Sequence, residues 1–487
     1  MSAAYLFALL LPLCAGAALY FGLFGTRRTG LCSAALGYGA VLGLLLAAAV
    51  TSLTATADTA HAWWHAWPWL ALIAVTAGVL GWRRLARHSA GGDRESREPS
   101  PRPWQYVLLA GLYATLAWRA WLAAREIWLR PLYPWDAWSA WAVKAKVWFL
   151  LGHHVAYAPP REWLADKTAS LYTAVAWFYP DATSWLDVWF ASAAGGWVEP
   201  LVNLPWLIVW IALLLGHHGQ WRALGLGRLR ALFFVYLLGS LPLLTVHVAL
   251  AGYSDLWVAT VFAFSVLAWM RWLQAREPGQ LALALLCAAL LPFLKLEGWV
   301  WALSLYAAFG LAALPPLWRR VAGFGIVLVL VSIASGGLRF AFVKLGWVDA
   351  AGAITNSRIG AFDLLLHPRW HDRGLSGMAE ALFAHPNWHL LWWLLPAVLA
   401  LRWRYLAARQ WLLAPAILLL ACLGAVAFLF TFTDAANWAE NFTAINRLVL
   451  QLTPAVVSLL ALLLQDVDFP AAEHGTDPTR DPRSDPG

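Results

Sequence analysis

The sequence is poor in charged residues. Of its 487 residues, 12% are Asp, Glu, Lys or Arg, whereas 61% are hydrophobic. A soluble globular chain has about 45–50% apolar and about 25% charged residues, so this chain has too few charged side chains to cover a water-soluble body of its size. The composition excludes a soluble enzyme, a nucleic-acid-binding domain and a disordered scaffold. It predicts an all-α polytopic membrane protein.

Cysteine is also scarce, and no P-loop, GxSxG or GxGxxG motif stands out. The four cysteines lie singly inside apolar runs, at Cys14, Cys32, Cys287 and Cys422. This placement argues against a disulfide framework or a zinc ribbon. Three histidine pairs have the i, i+4 spacing of zinc ligands on a helix, namely His61/His65, His367/His371 and His385/His389. None contains the Glu of an HExxH motif, so we predict no metal site and no cofactor.

Apolar runs of membrane-spanning length recur along the chain. They lie near residues 4–24, 31–52, 67–82, 105–121, 201–216, 231–251, 256–272, 280–294, 298–314, 321–338, 388–401, 411–431 and 448–464. The pattern predicts about thirteen transmembrane helices, with a further helix at the outer interface before residue 201. The chain starts without the basic region of a signal peptide, so we predict that the first apolar run is retained.

The basic residues predict the orientation of these helices. One set of alternating loops contains eighteen arginines and four acids, whereas the opposite set contains fourteen basic and sixteen acidic side chains. The positive-inside rule makes the first set cytoplasmic, which puts the N-terminus outside and the C-terminus inside. Residues 1–104 then contain three additional spans and a cytoplasmic linker. Residues 105–465 form the core, with a Trp-rich outer loop over 122–200 that carries interfacial helices, and residues 466–487 form a disordered cytoplasmic tail.

Tryptophan is abundant, with 35 residues that cluster at the ends of apolar runs and in outer loops. Two interpretations stay open for members of this group such as Trp135, Trp138 and Trp141. They form an aromatic belt at the membrane interface, or their faces stack on sugar rings or on a lipid.

Acidic residues at the predicted outer boundary are the strongest functional candidates, because ionisable groups near hydrocarbon are costly. Pro134 is placed to start a helix, with Asp136 in its first turn. Asp136, Ala140 and Lys144 then follow one helix face, and such a carboxylate and ammonium suit the handling of a proton and a phosphate. The alternative is an interfacial helix with snorkelling lysines at Lys144 and Lys146.

Two further acids lie on the same predicted side. Asp255 begins one span, and Glu297 lies in a short turn after Lys295. Each is either a catalytic group or a carboxylate that stabilises a helix N-terminus. Arg447 lies at the outer end of the last span, where it either snorkels or supplies a fixed cation for a donor's phosphate.

Five segments resemble, in order, motifs of bacterial multi-spanning GT-C glycosyltransferases, a superfamily that includes protein O-mannosyltransferases and aminoarabinose transferases. They are Trp135-Asp-Ala-Trp with Trp141-Ala-Val-Lys-Ala-Lys146, Tyr179-Pro-Asp181, Gly252-Tyr-Ser-Asp255, Leu294-Lys-Leu-Glu-Gly298 and Ile445-Asn-Arg-Leu-Val-Leu-Gln-Leu-Thr-Pro454. The resemblance covers about residues 105–465. No Asp-Asp or Asp-Glu pair follows Trp135, so a metal at this first acid is not expected.

The resemblance implies a transferase at the outer face of a bacterial inner membrane that uses a polyprenyl-phosphate-linked sugar. Asp136 would act as the base toward an acceptor hydroxyl, with Asp255 and Glu297 orienting hydroxyl groups. The cations Arg447, Lys144, Lys146 and Lys295 would stabilise the leaving phosphate. The implied partners are the lipid-linked donor, a glycan, lipid or protein acceptor, and membrane lipid, without nucleic acid.

Two alternatives belong to other functional classes. A lipid or solute transporter would use the same acids as proton or substrate sites, although transporters usually place such groups in mid-span and contain inverted repeats. A structural membrane subunit would use its Trp-rich loops only to dock partners, and a neutral substitution of Asp136 would leave it working.

Overall fold

The computed structural model describes residues 2–25, 29–88, 102–321, 323, 325, 357–359, 362–364, 371–433, 435–442 and 444–466. Nearly all of the predicted tail at 466–487, most of the predicted linker before Arg102 and nearly all of the predicted span at 321–338 lie outside these residues.

Helices make up most of the described chain. They are α1 (Ala3–Leu19), α2 (Leu31–Thr54), α3 (Ala62–His88), α4 (Pro103–Leu129), α5 (Ala142–Leu151), α6 (Pro160–Ala165), α7 (Ala182–Ala194), α8 (Glu199–Ala223), α9 (Arg228–Ser240), α10 (Pro242–Ala249), α11 (Asp255–Ala275), α12 (Pro278–Leu290), α13 (Glu297–Ala313), α14 (Asp372–Phe383), α15 (Leu391–Leu401), α16 (Trp403–Ala407), α17 (Gln410–Phe432), α18 (Ala436–Glu440) and α19 (Ile445–Leu463). Wider π-helical turns extend α1 over Tyr20–Phe24 and precede α5 over Ala137–Trp141. Short 3-10 helices lie at Leu291–Phe293 and Pro386–Trp388. There are also two short strand pairs: β1 (Ala156–Tyr157) lies parallel to β2 (Leu171–Tyr172), and β3 (Ser357–Ile359) lies antiparallel to β4 (Phe362–Leu364).

Eight helices in the described part are long and apolar enough to cross a membrane. They are Ala3–Phe24, Leu31–Thr54, Ala62–Arg83, Pro103–Leu129, Glu199–Ala223, Asp255–Ala275, Gln410–Phe432 and Ile445–Leu463. The pair α9 and α10 is a further candidate, bent by 63° where Pro242 removes a backbone donor from the helical ladder. The prediction of an all-α polytopic membrane protein is confirmed.

Glycine allows the N-terminal helices to pack closely against later ones. A Cβ atom on Gly37 of α2 would lie 2.2 Å from the backbone nitrogen of Gly216 in α8, so only glycine fits this crossing. Beside it, Tyr38 donates a hydrogen bond to the carbonyl of Phe264 at 2.9 Å, and the two rings stack with centroids 3.9 Å apart. The additional N-terminal spans therefore share one core with the rest of the chain.

The most buried of the candidate spans are α11 and α19, and both have polar residues in their first turn. In each of them, 94% of the apolar window is buried. Asp255 is the first residue of α11, Glu297 is the first residue of α13, and Arg447 lies in the first turn of α19. The core of the bundle therefore presents three helix N-termini with charged side chains to the same region.

Candidate functional site

A glycine turn brings the segment before α11 against the turn that carries Asp136. Gly252 has a φ of +109°, which L side chains rarely adopt, and a Cβ atom there would lie 2.5 Å from the Cβ atom of Ala137. The close contact places Asp136, the residue before Ala137, next to Asp255, three residues after the glycine. The turn at Gly252 thus brings two acids that are distant in the sequence close together in space.

Five charged side chains form one alternating row, which we call the charge chain. Its order is Asp136, Arg447, Asp255, Lys295 and Glu297. Nη1 of Arg447 contacts Asp136 at 2.5 Å, and its Nε and Nη2 each lie 3.0 Å from Oδ2 of Asp255. Nζ of Lys295 contacts Oδ1 of Asp255 at 2.9 Å and Oε1 of Glu297 at 3.1 Å. Three carboxylates and two cations therefore alternate in sign.

Exposure divides the charge chain into a buried centre and two accessible ends. The side chain of Asp255 is fully buried, whereas those of Asp136 and Glu297 are about 30% exposed. Gln451 also donates to Oδ1 of Asp255 at 2.6 Å, and Trp301 in turn donates to Gln451 at 2.6 Å. Because its oxygens already accept hydrogen bonds from three side chains, Asp255 holds the cations in place and has no access to a substrate proton. The two end carboxylates are the accessible ones.

Two tyrosines that we did not predict as site residues line the charge chain. The ring of Tyr253 lies under the guanidinium of Arg447, 4.6 Å from its carbon, which is a cation–π contact. The ring of Tyr179 stacks on Trp141 with centroids 5.1 Å apart. Burial raises the pKa of Tyr179, and the negative charge of Glu297 raises it further, so the phenol keeps its proton at neutral pH. Gln451 was also missed, although its i+4 spacing from Arg447 in an apolar helix is a visible signal.

Of the four predicted phosphate-binding cations, Arg447 and Lys295 lie in the charge chain, whereas Lys144 and Lys146 do not. The Lys144 ammonium is buried and donates to Oδ1 of Asp181 and to the carbonyl of Tyr179, each at 2.7 Å. Burial lowers the pKa of Lys144, and the neighbouring Asp181 opposes this shift. Lys146 is half exposed and lies 3.9 Å from Glu199.

The position of Lys144 has a local cause. The prediction that Asp136, Ala140 and Lys144 share a face assumed a regular α-helix, but the π-helical turn at Ala137–Trp141 widens the helix. A π-turn adds a residue and rotates everything after it. Lys144 therefore faces the Tyr179–Asp181 segment and steadies it beside the charge chain.

The three tryptophans proposed for stacking have different environments. Trp135 and Trp138 are exposed and pack edge to face, with centroids 4.7 Å apart. Trp141 is 1% exposed, and the ring of Tyr179 covers one of its faces. Trp141 is therefore packed into the protein, and of these three tryptophans Trp135 and Trp138 are the two with exposed rings.

The histidine pairs differ in their surroundings. His61 and His65 both contact the exposed carboxylate of Asp58, at 3.0 Å and 3.1 Å. His385 packs on Phe442, His389 contacts the backbone of Ser240, and His367 lies outside the described residues. Among the described residues, no group of three or more His, Cys, Asp or Glu side chains has an arrangement that can hold a metal ion.

The contrast between Lys144 and Lys146 gives a testable prediction. Lys144→Met removes two charge-assisted hydrogen bonds from a buried site, so we expect it to lower the free energy of unfolding by about 1–3 kcal/mol. Lys146→Met changes a half-exposed lysine two residues away, and we expect it to lower the free energy of unfolding by about 0.5 kcal/mol or less. Thermal unfolding in detergent measures both. Equal effects would contradict the role assigned to Lys144.

Compared with protein-family models, curated proteins and solved structures, the chain matches none of them.

Proposed function

We propose that this protein is a membrane glycosyltransferase that moves a sugar from a polyprenyl-phosphate donor to an acceptor hydroxyl. The charge chain is the observation that carries the proposal. It gathers five ionisable side chains from four distant segments at the ends of apolar helices, where such groups are costly and mark functional sites. All five members of the charge chain lie within four of the five segments that resemble GT-C motifs.

The charges suit the reaction. Asp136 takes the proton from the acceptor hydroxyl as the acceptor oxygen bonds to the anomeric carbon. The bond from that carbon to the phosphate oxygen breaks, and polyprenyl phosphate leaves with the bonding electrons. Arg447 and Lys295 stabilise the charge that grows on the leaving phosphate, and Asp255 orients both cations. Glu297 is placed to accept hydrogen bonds from sugar hydroxyls.

The proposal includes a topology. Thirteen spans, with the N-terminus outside and the C-terminus in the cytoplasm, put the start of α11, α13 and α19 at the outer face of a bacterial inner membrane. The excess of arginines in the opposite set of loops supports this orientation. The donor's lipid tail would then lie in the bilayer with its phosphate at the depth of the charge chain.

The proposal is tested by the lipid that the protein retains. We expect polyprenyl phosphate to bind to the purified wild-type protein and to be depleted at least about tenfold in Arg447→Ala, since a largely buried guanidinium is a strong phosphate ligand. Arg373→Ala is the matched control, because the Arg373 side chain is highly exposed and its guanidinium contacts Glu440 outside the charge chain. Mass spectrometry of bound lipid, with polyprenyl phosphate supplied in excess, measures the effect. Equal binding by both variants, or no binding beyond neutral polyprenol, would contradict the proposal.

A further inference from the structure

Arg447 directs its donor nitrogens to two carboxylates of different exposure. Nε and Nη2 both contact the fully buried Asp255, and Nη1 contacts the partly exposed Asp136. Nη1 is therefore the side of the guanidinium that faces the accessible end of the charge chain. Any anion that approaches Arg447 from outside meets this nitrogen and competes with Asp136 for it.

Asp136 is the more easily displaced partner. Arg447 is held by two contacts to Asp255, which Lys295 and Gln451 fix in turn, and by the ring of Tyr253. Moving the guanidinium would leave Asp255 buried without one of its cations, which is costly. Rotating Asp136 breaks one ion pair of a side chain that already has 30% of its surface exposed. An incoming anion therefore displaces the carboxylate and leaves the arginine in place.

We infer that the donor's phosphate replaces Asp136 on Nη1 of Arg447 and thereby releases Asp136 to act as the base. The inference rests on the proposed function and adds an order to it. While Asp136 is paired with Arg447, its Oδ2 is engaged by the guanidinium. Once the phosphate takes that position, the carboxylate is open toward the acceptor, so the donor binds before the acceptor is activated.

The exchange predicts opposite effects from substitutions that change charge equally. Asp136→Asn removes the competitor for Nη1, so we expect the affinity for polyprenyl monophosphate to increase about fivefold, the size of a partly exposed ion pair. Asp255→Asn removes the anchor of the guanidinium, so we expect weaker binding. Asp58→Asn has the same charge change at an exposed carboxylate that contacts His61 and His65 and is not a member of the charge chain, and we expect no change.

The experiment is a titration of each purified variant with polyprenyl monophosphate in detergent micelles, with neutral polyprenol as the reference lipid. Tighter binding by Asp136→Asn alone supports the exchange. Unchanged or weaker binding by Asp136→Asn, or equal tightening by Asp58→Asn, overturns it while the proposed function stands. If the wild type binds polyprenyl monophosphate no better than polyprenol, the proposed function itself fails.

Discussion

Asp136→Asn is expected to lower the rate of sugar transfer by about 10²–10⁴-fold, the contribution of a positioned general base. The amide keeps the size of the side chain, but it cannot take a proton from the acceptor. Because Asp136 is partly exposed and has one ionic partner, thermal stability should change little. A transfer assay in proteoliposomes, with unfolding temperatures measured in parallel, separates catalysis from folding.

Glu297→Gln is the matched comparison for this prediction. Glu297 occupies the other accessible end of the charge chain, with similar exposure and with Lys295 as its partner. If Glu297 only orients sugar hydroxyls, Glu297→Gln should lower the rate of sugar transfer far less than Asp136→Asn does. A large loss for Glu297→Gln together with near-normal transfer by Asp136→Asn would reverse the two roles.

Asp255→Ala should have the largest effect on stability. It leaves the ammonium of Lys295 and the guanidinium of Arg447 without their shared carboxylate in a buried site, which typically costs about 3–5 kcal/mol. Thermal unfolding in detergent, or hydrogen exchange of α11 and α19, measures the loss. Asp58→Ala removes an exposed acid and should lower the free energy of unfolding by about 0.5 kcal/mol or less.

A second substitution shows whether the unpaired cation is the cause of that loss. Adding Lys295→Met to Asp255→Ala removes one of the two stranded charges and replaces it with an apolar side chain of similar length. The double variant should recover part of the lost stability, which is a coupling between neighbouring residues. Simple addition of the two single effects would indicate that the pair does not act through charge.

The sequence was sufficient to predict the class of fold and the members of the charge chain. Apolar runs of this length predict helices, because a helix satisfies the backbone hydrogen bonds of a membrane-spanning segment within the segment itself. Ionisable groups at the ends of such runs are costly in free energy and therefore indicate function. This argument identified Asp136, Asp255, Glu297 and Arg447 as candidates. These residues were predicted to form one site because their loops were all assigned to the same side of the membrane.

The pairing of these residues could not be predicted from the sequence. Lys144 and Lys295 both lie near a predicted outer acid in the sequence, yet of the two only Lys295 joins the charge chain. The difference depends on a π-helical turn at Ala137–Trp141, which has no clear sequence signature, and on packing between segments far apart in the chain. The burial of Trp141 behind Tyr179 has the same origin, because single-residue patterns do not show which face of a helix another segment will cover.

The distance along the chain between Asp136 and its cation has a consequence for biosynthesis. Arg447 follows Asp136 by 311 residues, whereas Lys295 follows Asp255 by 40. At about 5–20 residues per second, the ribosome needs roughly 15–60 s to go from the first acid to its arginine. During that interval Asp255 can already pair with Lys295, but Asp136 has no guanidinium to meet. A nascent chain released before α19 would contain most of the helices and still lack the residue that closes the site.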